Sequence, residues 1–175
     1  MALCRTAALS ACGLVLASAS TLAVAPSASA ACIDYGTYYS VSATSSYIPF
    51  KGIPTFKDGR GGEIEVSRSY SGSASYQVTA GAESEVGAVL AKAKVSVSAS
   101  LTKTNTTSTT HTYRHTITST KYGHAEYVAW SKKVTWKKYQ VYTASGGGCA
   151  VRNLASGTIN FPTSSEGWRY WETTS

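Results

Sequence analysis

From Val89 the chain alternates strictly. Val89, Ala91, Ala93, Val95, Val97, Ala99 and Leu101 are apolar, and Lys92, Lys94, Ser96, Ser98, Ser100 and Thr102 between them are polar. Successive side chains on a strand point to opposite sides, so the run predicts a strand with one apolar and one hydrated face. About 13 residues at roughly 3.3 Å each reach about 43 Å, well past an ordinary strand. The polar stretch Lys103 to Thr110 follows, and alternation resumes through Tyr113 and Ile117. Residues 85–120 therefore read as one long, Ser/Thr-rich β-hairpin. The rival reading is a helix over Ala82 to Ala93, suggested by its alanines and glutamates; the alternation outweighs it.

Elsewhere three-to-four residue apolar spacing is almost absent, and Ser, Thr, Tyr, Val and Gly dominate, which favours strands and turns. Strands are predicted at about 35–43, 63–70, 73–81, 86–102, 109–119, 124–143, 156–161 and 168–173, with Ser71-Gly72 as a tight turn between the second and third. The segment from Tyr47 to Gly62 holds two prolines and four glycines and is expected to be irregular. Its apolar members Ile48, Phe50, Ile53 and Phe56 either pack as a covering arm or dock into another protein. The expected fold class is all-β: an elongated antiparallel β-sheet or sandwich with one long Ser/Thr-rich hairpin.

The N-terminus adds a compartment. Arg5, the apolar run Ala7 to Ala25 and the small residues Ala28-Ser29-Ala30 have the layout of a cleavable signal peptide over residues 1–30, so a secreted protein is expected. Leu9-Ser10-Ala11-Cys12 offers a lipoprotein reading instead. The rest divides into an extended N-terminal arm, 31–62, and a single β domain, 63–175. Cleavage would leave Cys32 and Cys149, expected as one disulfide in an oxidising compartment. The alternative for Cys149, behind Gly146-Gly147-Gly148, is a reactive thiol, but no base lies near it in sequence.

Charge is unevenly placed within a formal net charge of +7. Residues 31–85 hold four basic and six acidic groups, net −2; residues 86–175 hold eleven basic and three acidic groups, net +8. A basic half favours anionic partners: an acidic secreted protein, an anionic membrane or a cell-wall polymer, with nucleic acid a poorer fit outside the cell. Lys92, Lys94, Lys132, Lys133, Lys137 and Lys138 are the expected contacts. The alternative is that these lysines only solvate the sheet and guard its edges.

Catalytic chemistry finds little footing. His111 and His115 would share a metal on a helix, but on a strand they stand about 13 Å apart. With Tyr113 they are expected as polar positions on one strand face, and His124 stands apart. Glu63/Glu65 and Glu83/Glu85 each face one way and read as solvated edge charges; acid–base work needs two differently tuned carboxylates across a cleft. No nucleophile elbow, metal-binding helix or phosphate loop occurs. No enzyme activity, metal or cofactor is expected. Trp130 and Trp136 fall on one strand face and are expected in the core. Trp168, Tyr170 and Trp171 form either a core-sealing strand or an aromatic ligand patch.

Lys121-Tyr122-Gly123-His124, the strand Thr135 to Tyr139 and the ending Gly167 to Thr173 resemble blocks of small secreted actinobacterial β-rich proteins. The Ser/Thr-rich hairpin resembles that of aerolysin-type pore-forming proteins. Size, export, basic charge and an N-terminal arm are similar to adaptor subunits of umbrella toxin particles. These resemblances imply a secreted, non-catalytic binding or adaptor protein of an extracellular assembly. They also imply two alternatives: a membrane-active protein whose hairpin, from about Val86 to Thr120, refolds into a β-barrel, or a lectin using the C-terminal aromatics.

Overall fold

A computed structural model describes Cys32 and residues 35–175 apart from 67, 68 and 109. The expected signal peptide lies outside the described residues. Most of the described chain is strand, arranged antiparallel: β1 (Gly36–Pro49), β2 (Phe56–Arg60), β3 (Glu63–Val66), β4 (Gly72–Ser75), β5 (Gln77–Val78), then one helix, α1 (Val86–Ser96), followed by β6 (Thr104–Thr107), β7 (Tyr113–Thr116), β8 (Tyr122–Thr143) and β9 (Cys149–Thr173). The all-β expectation therefore holds.

The scaffold is a long plank. β8 and β9, of 22 and 25 residues, pair along their whole length, and the 14-residue β1 lies along the other edge of β8. β2 continues that edge beside β8, and β5 sits on the outer edge of β9. The sequence is suited to this because Tyr, Thr, Val and Trp crowd β8 and no proline interrupts it. Residues 156–161 and 168–173, expected as two strands, are parts of the single strand β9. Cys32 and Cys149 are joined with Cα atoms 5.3 Å apart, tying the chain ahead of β1 to the start of β9 as expected.

Three apolar packs hold the plank, the third around Ile64, Val66, Ile117 and Ala125. Val41 and Ala43 of β1 stand opposite Trp136 and Val134 of β8, and this set meets Ile159, Phe161 and α1. Further along the same uninterrupted ladder, Ile48 stands opposite Ala129 and packs with Phe50, Tyr127 and Ala74.

Two expectations fail and one alternative is decided. The strand expected at 86–102 is α1 over most of its length, because Val86, Val89, Leu90 and Ala93 also fall at i, i+3, i+4 and i+7 and bury one helical stripe. Ser71-Gly72 is not a turn: Gly72 lies within β4, opposite Thr107 of β6. The segment 31–62, expected either to pack or to dock into another protein, packs: Ile48 and Phe50 are buried. Residues 36–49 and 56–60 are built into the sheet, and Lys51 bridges to Ser73.

Candidate functional site

A long hairpin does exist, but it begins earlier than the alternation suggested. β3 pairs with β7, and β4 with β6, while Ser69 bridges to Thr110 between them. Glu63 faces Thr116, Ser69 faces Thr110 and Ser75 faces Thr104, so each step along one arm is matched by an equal step back along the other. The register extends at both ends: Ile117 N–H donates to Gly62 O at 2.9 Å, and Tyr76 N–H donates to Lys103 O at 2.9 Å. The patches are therefore one hairpin in a single register, from Gly62/Ile117 to Tyr76/Lys103.

Its two faces differ sharply. The outward face carries Glu63, Glu65, Ser69, Ser71, Ser73 and Ser75, set against Thr104, Thr106, Ser108, Thr110, Thr112, Arg114 and Thr116, nearly all exposed. Arg114 bridges Glu63 at 3.2 Å and Glu65 at 2.7 Å. The inward face buries Ile64, Val66, Ala74 and Ile117 but is otherwise wired by polar contacts. Asn105 Nδ2 donates to Thr163 O at 3.0 Å. His111 Nε2 meets the Tyr127 hydroxyl at 2.8 Å, and that hydroxyl donates to Glu166 Oε1 at 3.1 Å. Burial pushes the Tyr127 phenol up, and Glu166 beside it adds to the shift.

Beyond Tyr76 the arms part. β5 settles on the edge of β9, α1 lies over Trp136, and the return leg bridges Leu101 to Thr163. One carboxylate fastens this tip: Glu85, just ahead of α1, accepts from the Tyr39 hydroxyl and from Lys138 Nζ, the latter at 2.8 Å. The Lys138 hydrogen bond foremost, then that from Tyr39, holds Glu85 below the usual carboxylate range; the same contact raises Lys138 and Tyr39. At the far end, Glu172 accepts from Thr118 N–H at 3.0 Å and from the Tyr170 hydroxyl at 2.8 Å. These bonds, the Thr118 amide first, lower Glu172 to about 2, while burial and Glu172 push Tyr170 up to about 12.

The six lysines do not form one face. Lys92 and Lys94 stand exposed on α1 rather than on a strand. Lys132 and Lys138 leave one face of β8 and the exposed Lys133 and Lys137 the other. The C-terminal aromatics are split as well. Trp168 and Tyr170 pack with the core group of Ile64 and Ala125, whereas Trp171 stacks on His124 across the opposite face, ring centres 5.1 Å apart. Trp136 is core, but Trp130, expected beside it, is 42% exposed because β8 shifts register between Ala129 and Ser131.

The histidines are not plain polar positions, since each stacks on an aromatic ring: His111 on Tyr127, His115 on Tyr170 and His124 on Trp171. Among the described residues no group of three His, Cys, Asp or Glu side chains converges as a metal site would require. Residues 63–76, the earlier arm, were expected as strands but not as a partner of this hairpin. Its signal was present in the Glu/Ser positions alternating with Ile64, Val66, Tyr70, Ala74 and Tyr76. No protein-family model matches the chain, and no curated protein is similar to it.

Proposed function

We propose that this protein is membrane-active, and that it acts by straightening its helical tip into a continuation of the hairpin. One observation carries the reading. Continued past Tyr76/Lys103 in the register the hairpin already has, the chain pairs Val78 with Leu101, Ala80 with Ala99, Ala82 with Val97, Ser84 with Val95, Val86 with Ala93 and Ala88 with Ala91. All but Ser84 are apolar, and all lie on one face. The other face pairs Gln77 with Thr102, Thr79 with Ser100, Gly81 with Ser98, Glu83 with Ser96 and Glu85 with Lys94. Each apolar run is about 11 residues, the length of a transmembrane β-strand, and lipid-out, water-in alternation is what a membrane barrel requires. Two strands cannot close a barrel, so several copies would contribute.

Val95 supports the same reading. It is 88% exposed on α1 and does nothing for the folded helix, yet it falls on the apolar face of the extended form. The test is dye release from anionic liposomes by two exposed-site variants. Val95→Asp should fold and melt like the parent but lose release, because it puts a charge against lipid. Ser96→Asp, on the water-facing side, should retain it. Equal release by the two variants rules the reading out.

An adaptor function is the second reading, and the outer edge of β1 favours it. Over its 14 residues β1 carries no charge and only a terminal proline, so it lacks the usual guards of an edge strand and suits strand addition by a partner. Its basic β8 face would attract an acidic protein. An adaptor leaves liposomes sealed and co-purifies with another secreted protein, a complex that high salt and substitution of Lys133 and Lys137 should dissolve.

A further inference from the structure

Where β8 shifts register, the strand opposite bows out. Ala129 faces Glu166 and Ser131 faces Pro162, so Trp130 has no partner in β9 while Thr163, Ser164 and Ser165 leave the ladder. Such bulges re-aim side chains and recur beside binding sites. The bow is braced rather than loose. Thr163 Oγ1 donates to Trp130 O at 2.8 Å and accepts from Ser165 N–H at 3.2 Å, and Ser164 N–H donates to Ser100 O at 3.1 Å. The result is a cavity of about 390 Å³ at the bulge, walled by β1, β8, β9 and the leg that leaves α1.

The chemistry of the walls is narrow. They offer the Trp130 indole, one ammonium, Lys132, and otherwise only serine and threonine hydroxyls. Lys132 Nζ donates to Ser45 Oγ at 3.0 Å, and Ser98 and Ser100 share a hydrogen bond of 2.9 Å on the facing wall. Ser131, 2% exposed, closes the floor of the cavity.

We infer that the cavity binds a single pyranose residue carrying a carboxylate, of the hexuronic acid type. The flat indole takes the C–H face of the ring, and the serines exchange hydrogen bonds with ring hydroxyls. Lys132 faces the carboxylate, and no acidic side chain lines the cavity to oppose it. The absence of an aliphatic wall argues against a lipid tail, and a bare inorganic anion would leave the indole unused. The volume lies at the small end of ligand sites, suited to one ring. The site stands whether or not the hairpin enters membranes.

The test is titration of the full chain with sodium glucuronate, glucose and sodium sulfate, followed by calorimetry and by the four tryptophan indole resonances in NMR. Glucuronate should saturate and shift one indole signal, the one missing from Trp130→Phe. Trp130→Ala, at an exposed position, should keep the melting temperature and lower affinity at least tenfold. Lys132→Gln should erase the preference for glucuronate over glucose. Absence of saturation by glucuronate, or sulfate binding equally well and surviving Trp130→Ala, would overturn the assignment.

Discussion

Val89 is fully buried beneath α1, packed with Trp136, Val134 and Ile159. Val89→Ala removes two carbons from that contact. At about 0.8 kcal/mol per buried methylene, with an increment for the cavity left behind, docking weakens by about 2 kcal/mol. Alanine's better helix propensity returns roughly 0.5 kcal/mol, leaving a net loss near 1.5 kcal/mol. Since about 1.4 kcal/mol is a factor of ten, the undocked tip becomes about tenfold more populated. In the extended hairpin Val89 stands at the turn, opposite Leu90, where a smaller side chain is tolerated. Dye release from anionic liposomes should therefore run about tenfold faster at equal protein and lipid. A destabilising substitution that speeds the activity is a demanding expectation. Should calorimetry register the lost stability while the release rate stays the same or falls, undocking of α1 is not on the path, and the membrane reading loses its first step.

Further outcomes test other contacts. Glu85 is held below its ordinary pKa, so the stability it lends exists above the usual carboxylate range and is lost as pH falls through its folded value; release should rise on acidification, and Glu85→Gln should blunt that rise while raising release at neutral pH. Glu172, lowered to about 2, follows the same sign, so loosening at Thr118 should appear only in stronger acid, followed by amide exchange there. Gly72→Ala should push the hairpin off its seat, because a Cβ there would lie 2.7 Å from the Lys51 carbonyl oxygen; the expected loss is about 1–3 kcal/mol of stability with faster release. Reducing Cys32–Cys149, which spans 117 residues, should cost roughly 4–5 kcal/mol by loop entropy and lower the melting temperature by about 10–20 °C.

Much of the architecture is legible in the residues, and the one large failure has a physical cause. β8 is read almost to the residue from its alternation, and the disulfide from the two cysteines outside the expected signal. The stretch from Val86 to Leu101 carries two periods at once. Val89, Ala91, Ala93, Val95, Val97, Ala99 and Leu101 satisfy a strand, while Val86, Val89, Leu90 and Ala93 satisfy a helix. Alanine, leucine and lysine fit a helix well, and the seat offered by Trp136 and Phe161 decides for it. No local rule can see that seat, because it comes from strands more than 40 residues downstream. Trp130 escapes its expected core position for a similar reason: the bulge that turns it outward depends on how many residues β9 places opposite. The earlier arm of the hairpin is read as two strands, 63–70 and 73–81, rather than one because Ser71-Gly72 imitates a turn.

That α1 rests on its own apolar pack, which shares no buried residue with those around Ile48 and Ile64, bears on how the molecule fails. Stripping α1 from its seat therefore leaves Ile48, Phe50 and Tyr127 as dry as before. Heat should melt the protein in two steps rather than one, the first confined to residues near 77–102. Sequence drift at the tip can then proceed without jeopardising the far half.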